Sequence, residues 1–107
     1  MGKYLMKVSY SAEGIAGVRK EGATARAAFI AQLLETVGGS LESFYFAFGD
    51  ADVYLICDLP DKATAMAIAA TVAGSQAISS IETIVLLTTQ ETDAAMKISV
   101  GYRAPGT

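Results

Sequence analysis

Two carboxylates, three phenols and one lysine carry most of the chemistry this chain can offer. Asp50 and Asp52 flank a turn in FGDADVYLIC, Tyr54 follows two residues later, Tyr45 lies upstream, and Lys7 and Tyr10 belong to the first apolar run. A carboxylate at a cavity mouth serves as general base or cation ligand, and a phenol orients a polar ligand or donates a proton. The competing reading of the aspartates is local, because Asp favours turns by accepting hydrogen bonds from nearby backbone N–H groups. Asp52 shares the parity of Tyr54 and is expected to face the same way. A lysine inside a strand and pointing inward is desolvated, which lowers its pKa unless it pairs with Asp52 or a ligand carboxylate. Otherwise its stem lies along apolar surface with the head in water. The candidate catalytic residues are thus Asp52 as base with Tyr54 or Tyr45 as acid. The candidate ligand-binding residues are Lys7, Tyr10, Tyr45, Asp52 and Tyr54, with Tyr10 at the mouth.

A second polar group gathers around the end of the first strand: Tyr10, Glu13, Lys20 and Arg26. Arg26 or Lys20 can clamp an anion there. The alternative is a solvated helix face with weak ion pairs.

Several mechanisms are excluded by residue type. The chain has no histidine, so it has no Ser-His-Asp or Cys-His pair and no imidazole ligand for haem or metal. Cys57 is the only cysteine, which rules out an internal disulfide and a thiolate metal cluster. Its place in an apolar strand makes it a small core hydrophobe. The Gly14-x-x-Gly17 spacing lacks the Lys-Ser/Thr ending and the strand-to-helix setting of a phosphate loop. Eight basic against eleven acidic residues give a net charge of −3, with no basic cluster longer than Arg19-Lys20. No nucleic-acid partner is expected from that balance. Apolar runs fall short of the ~20 residues of a bilayer span, and the N-terminus lacks a secretory signal. No membrane, metal or cofactor is expected, and the cytoplasm is the expected compartment.

The elements that position these groups can be read from periodicity. Lys3 to Tyr10 alternates as a strand, and Ser11 to Lys20 turns helical but carries Gly14 and Gly17. Each glycine costs about 1 kcal/mol against alanine, so a short or irregular helix is expected, ending near Gly22. Ala23 to Val37 places Ile30, Leu33, Leu34 and Val37 on one helical stripe. Leu41 to Phe48 and Val53 to Leu59 form a hairpin. Asp61 caps a helix with Ala65, Ile68, Ala69 and Val72 on its buried side, ended by Gly74. Ile78 to Leu87 is the fourth strand, and Thr88 and Glu91 stand at capping-box spacing before a short helix over 90–98. Residues 1–98 form one domain and 99–107 a tail.

This order predicts an α+β fold, the ferredoxin-like βαββαβ arrangement, with a four-stranded antiparallel sheet, helices on one face and a short C-terminal helix. Pairing Phe48 with Val53 across a four-residue loop puts Phe44, Phe46, Phe48, Val53, Leu55 and Cys57 under the helices, joined by Met6 and Val8. Ser43, Tyr45, Ala47, Tyr54, Ile56 and Asp58 then face the other way with Leu5, Lys7 and Ser9. Apolar residues make up 52% of the chain and charged ones only 18%. So greasy a small domain, with both sheet faces partly apolar and no spare element to cover the second, calls for another copy of itself. A small pocket between facing sheets is the expected binding site.

The whole chain resembles the GYD domain, a family of small bacterial proteins in the dimeric α+β barrel superfamily. The resemblance rests on Tyr4-Leu5 opening the first strand, Glu13-Gly14, Gly38-Gly39 and above all FGDADVYLICDLPD. The naming glycine, tyrosine and aspartate match Gly49, Ala51 and Asp52, with Ala51 in place of the tyrosine. Ser99-Val100-Gly101-Tyr102-Arg103 is similar to a subgroup ending, and Tyr102 and Arg103 either cover a neighbouring subunit or fray. The resemblance implies a homodimer or a higher homo-oligomer with facing sheets. It implies no reaction. Relatives in the wider superfamily include cofactor-free monooxygenases, isomerases, haem-binding proteins and sensors. Three readings stand: a protein that binds a small, partly apolar organic ligand, a cofactor-free isomerase, dehydratase or oxygenase, and a purely structural assembly module.

Overall fold

Alternation of side chains along four strands organises the molecule, which is described over residues 1–107 by a computed structural model. The strands are β1 (Gly2–Tyr10), β2 (Ser40–Phe46), β3 (Val53–Leu59) and β4 (Ile78–Leu86). They form one antiparallel sheet in the order β2-β3-β1-β4. Helices α1 (Ala12–Glu21), α2 (Ala23–Thr36) and α3 (Lys62–Ala73) lie against one face, and α4 (Thr89–Met96) follows β4. No helix is long and apolar enough to cross a membrane. The α+β, ferredoxin-like arrangement expected from the sequence is the one observed.

Every second residue of β3 is buried: Val53, Leu55, Cys57 and Leu59. They meet Tyr4, Met6 and Val8 of β1, Leu34 of α2, and Ala65 and Ile68 of α3 in a single core. Cys57 is wholly enclosed there, and burial, aided by nearby Asp58, pushes its thiol up to about 11. Such a thiol is inert at neutral pH.

The helix starts follow side-chain capping. Ser11 Oγ accepts from the Gly14 N–H at 3.0 Å, Asp61 accepts from the Thr64 N–H at 2.8 Å, and Thr88 and Glu91 close a reciprocal capping box. A short or irregular helix ending near Gly22 was expected; α1 is a short helix of ten residues that does end there, and it is regular despite its two glycines. The reason is close approach. A Cβ on Gly14 would stand 2.0 Å from the Ala77 carbonyl oxygen, so only glycine lets α1 dock on the entry to β4. Gly22, at φ 103°, then breaks α1 from α2.

The hairpin register differs from the expected one by two residues. Phe46, not Phe48, pairs with Val53. A shift of two preserves every face assignment, so the two sets of side chains stay on their expected sides of the sheet. Ala47 and Phe48 are the exceptions: both leave the strand, and Phe48 stands fully exposed in the connection. The connection is also longer than the four residues expected, running from Ala47 to Asp52.

The end of the chain lies apart from this body. α4 has no buried residue, and every position from Leu87 to Thr107 is exposed. The Cα radius of gyration is 17.0 Å with extents of 58 × 33 × 23 Å, against about 13 Å for a compact domain of this length.

Candidate functional site

The helix-free face carries three rows of side chains set by strand register. Ser43, Ile56, Leu5 and Ile84 form the middle row, which is mainly apolar. On one side Ser40, Asp58, Lys3 and Leu86 form the next, where Lys3 bridges Glu42 and lies 3.1 Å from Asp58. On the other side stand Tyr45, Tyr54, Lys7 and Glu82.

In that last row Lys7 Nζ lies 2.9 Å from Asp50 Oδ2 and 3.5 Å from Glu82, and Tyr54 donates to Asp50 Oδ1 at 2.5 Å. Asp50 is therefore the carboxylate that Tyr54 and Lys7 share. Asp52, the expected partner, is engaged elsewhere: its backbone N–H donates to the Val8 carbonyl at 2.9 Å and its carboxylate accepts from the Tyr10 N–H at 2.8 Å. It ties the hairpin to the end of β1. The six-residue connection explains the exchange, because its tip folds back over the open face and carries Asp50 with it. Tyr45 pairs across the strands with Tyr54 but makes no side-chain hydrogen bond and is 70% exposed.

The Tyr54 hydrogen bond, then the Lys7 ammonium, holds the Asp50 carboxyl below the usual carboxylate range. Asp50 in turn raises both the Tyr54 phenol and Lys7, opposite to the lowered lysine expected for an unpaired strand position. At neutral pH the cluster is Asp50 anionic, Lys7 cationic and Tyr54 neutral, with each of these three shifts directed away from neutrality. A depressed carboxylate contributes stability that is complete above its unfolded pKa and is lost as pH falls through its folded value. Asp50→Asn is accordingly expected to lower the melting midpoint slightly at pH 7, the difference from the parent closing as the medium is acidified. The small size follows from the solvent exposure of Asp50. Melting curves against pH check it; a difference that persists unchanged in acid would contradict the assignment.

The hollow lies on the other side of the sheet. Between the sheet and α1, α2 and α3 is a cavity of about 550 Å³, with 16 of its 23 lining residues hydrophobic. A volume of several hundred Å³ with sparse polar groups is what small-molecule sites share. Two local features open it. Gly17 faces the cavity with nothing within 4 Å of where a Cβ would stand, and Gly14 anchors α1 at its neighbouring end.

Four polar side chains line this cavity near the end of β1: Tyr10, Glu13, Glu21 and Arg26. Arg26 grips Glu21 through Nε at 2.7 Å and Nη2 at 2.9 Å, and its guanidinium lies 4.8 Å from the Phe29 ring centre. Glu21 keeps Arg26 raised, and Arg26 keeps Glu21 lowered. The remaining amino group, Nη1, is unengaged, as is the Tyr10 hydroxyl. Burial first of all raises the Tyr10 phenol, so it stays a neutral donor.

The cavity formed by the chain itself is thus under the helices, whereas the sequence led to one between facing sheets. Of the five expected binding residues only Tyr10 lines it, while Lys7, Tyr45 and Tyr54 share the open face and Asp52 fastens a strand end. Glu13 and Arg26, read as part of a polar group near Tyr10, do line the cavity, and Lys20 does not. Gly17 was missed as a site residue, and Asp50, named beside Asp52 at the turn, was passed over in favour of Asp52. Gly17 had a signal, since a glycine inside a helix needs a reason. Asp50 had only its place in the turn.

A family model described as GYD domain matches residues 4–96 of this chain. No curated protein matches it.

Proposed function

The chain belongs to the GYD domain family, and from that premise we propose that the protein is a homodimer that binds a small, largely apolar molecule bearing an oxygen acceptor at one end. The cavity under the helices carries this reading. Its apolar walls suit a hydrocarbon body, and the free Tyr10 hydroxyl and Arg26 Nη1 are donors suited to a carboxylate, sulfonate or ketone oxygen. The open face supports the dimer: an apolar middle row between two ion-pair clusters is a surface that another sheet can cover. Reading the site as a binder places no demand on a group poised to exchange protons near pH 7.

The test uses 8-anilinonaphthalene-1-sulfonate, an apolar anion whose emission rises on burial. The chain has no tryptophan to interfere. The parent is expected to bind it, with displacement by medium-chain and aromatic carboxylic acids. Gly17→Leu, which extends a side chain into the open part of the cavity, is expected to weaken binding at least ~10-fold without lowering the melting midpoint, since replacing a helical glycine contributes roughly 1 kcal/mol. Unaltered probe binding in that variant would sink the reading. Tyr10→Phe should weaken carboxylate binding about tenfold, the worth of one hydrogen bond.

A further inference from the structure

The polar end of the cavity under the helices carries more negative than positive charge. Arg26 is the sole cation in the lining, set against Glu13 and Glu21, and no charged residue of β2, β3, β4 or α3 lines it. Glu21 takes both Nε and Nη2 of Arg26, so those two are neutral as a unit. Glu13 is left over. It forms no ion pair and no side-chain hydrogen bond, and its basic neighbours along α1, Arg19 and Lys20, are not part of the lining.

Helical spacing puts the extra carboxylate there. Glu13, Gly17 and Glu21 follow at four-residue intervals along α1, which makes them one stripe of that helix, and all three line the cavity. From the sheet side, the Tyr10 phenol feels the charge of Arg26 and, against it, those of Asp52 and Glu21. The donors of this end therefore sit in a negative surround. An uncharged carbonyl oxygen can accept from the Tyr10 hydroxyl and Arg26 Nη1 at little cost in lost hydration. A carboxylate gives up far more hydration, competes with Glu21 for the guanidinium, and is repelled by Glu13.

We infer that Glu13 makes the cavity a site for apolar molecules whose oxygen is uncharged, a ketone or an aldehyde, and sets their advantage over carboxylates of the same skeleton. The inference rests on the binding function proposed above and narrows its ligand class. Acids still enter, but more weakly.

2-Acetylnaphthalene and 2-naphthoate share one ring system and differ by a methyl group against a charged oxygen. Each is titrated against 8-anilinonaphthalene-1-sulfonate bound to the full-length chain, at neutral pH and low ionic strength, to give its own dissociation constant. The ketone is expected to bind the parent at least ~10-fold more tightly than the acid. Part of that ratio is the greater hydrophobicity of a methyl group, so the deciding readout is Glu13→Gln. This exposed change should tighten the naphthoate about three- to tenfold, leave the ketone within about a factor of two, and keep the circular dichroism of the parent. Added salt should shrink the difference between parent and variant. A ketone no tighter than the acid in the parent, or a naphthoate constant that Glu13→Gln leaves unchanged, would overturn the selection by charge while the cavity remains a binding site. If the parent binds neither compound and does not take up the probe, the binding function falls as well.

Discussion

Ile56→Asp is expected to yield a folded chain that sediments as a monomer at micromolar concentrations, where the homodimer proposed above predicts that the parent sediments as a dimer. Ile56 occupies the middle row of the open face, between Ser43 and Leu5 and one strand away from Ile84. In a lone protomer it is half-buried, and an aspartate there reaches water with little harm to the fold. Covered by a second sheet, the same carboxylate loses its hydration and finds no cation, since Lys3 and Lys7 are already held by their own acids. An unpaired buried charge costs roughly 3 kcal/mol or more, which weakens association at least ~100-fold. Analytical ultracentrifugation over a dilution series measures it. A variant as dimeric as the parent would remove the open face as the interface.

Gly14→Val has the largest expected effect on the fold itself. Its Cβ would stand 2.0 Å from the Ala77 oxygen and 2.8 Å from the Ala77 carbonyl carbon. Neither group can retreat easily. The Ala77 oxygen accepts from the Ser11 N–H at 2.9 Å, Ser11 Oγ donates to the Gln76 carbonyl at 2.8 Å, and the same Oγ caps α1 at Gly14. Relief means lifting α1 off the start of β4 and giving up those bonds. Overpacking against fixed backbone costs ~3 kcal/mol at the upper end of the usual range, so the melting midpoint should fall by at least about 12 °C. Thermal denaturation followed by circular dichroism reads it. A fall of only a degree or two would mean that α1 docks less tightly than the structure has it.

How much of this was legible depends on which physical signal each part leaves. The alternation in Val53–Leu59 placed both faces of β3 correctly, and it did so under the wrong hairpin register, because a slip of two residues leaves parity untouched. Capping gave two helix starts from single side chains: Asp61 after Pro60, and Thr88 through its spacing to Glu91. Loop path leaves no such signal. Whether Asp50 or Asp52 meets Tyr54 is decided by how six residues double back, and neither periodicity nor residue type encodes that. The cavity was hidden for a related reason. Patterning says which side chains face inward, but the gap between sheet and helices depends on how near each helix comes, and one glycine that permits contact sits a single turn from one that leaves space.

Cys57 lies at the centre of the sheet, shut away with its proton held firmly. The exterior of the protein is consequently free of thiols. Any cysteine introduced at the surface becomes the sole point at which a maleimide dye or spin label attaches, so distances between copies can be measured on a chain that needs no prior removal of its native thiol.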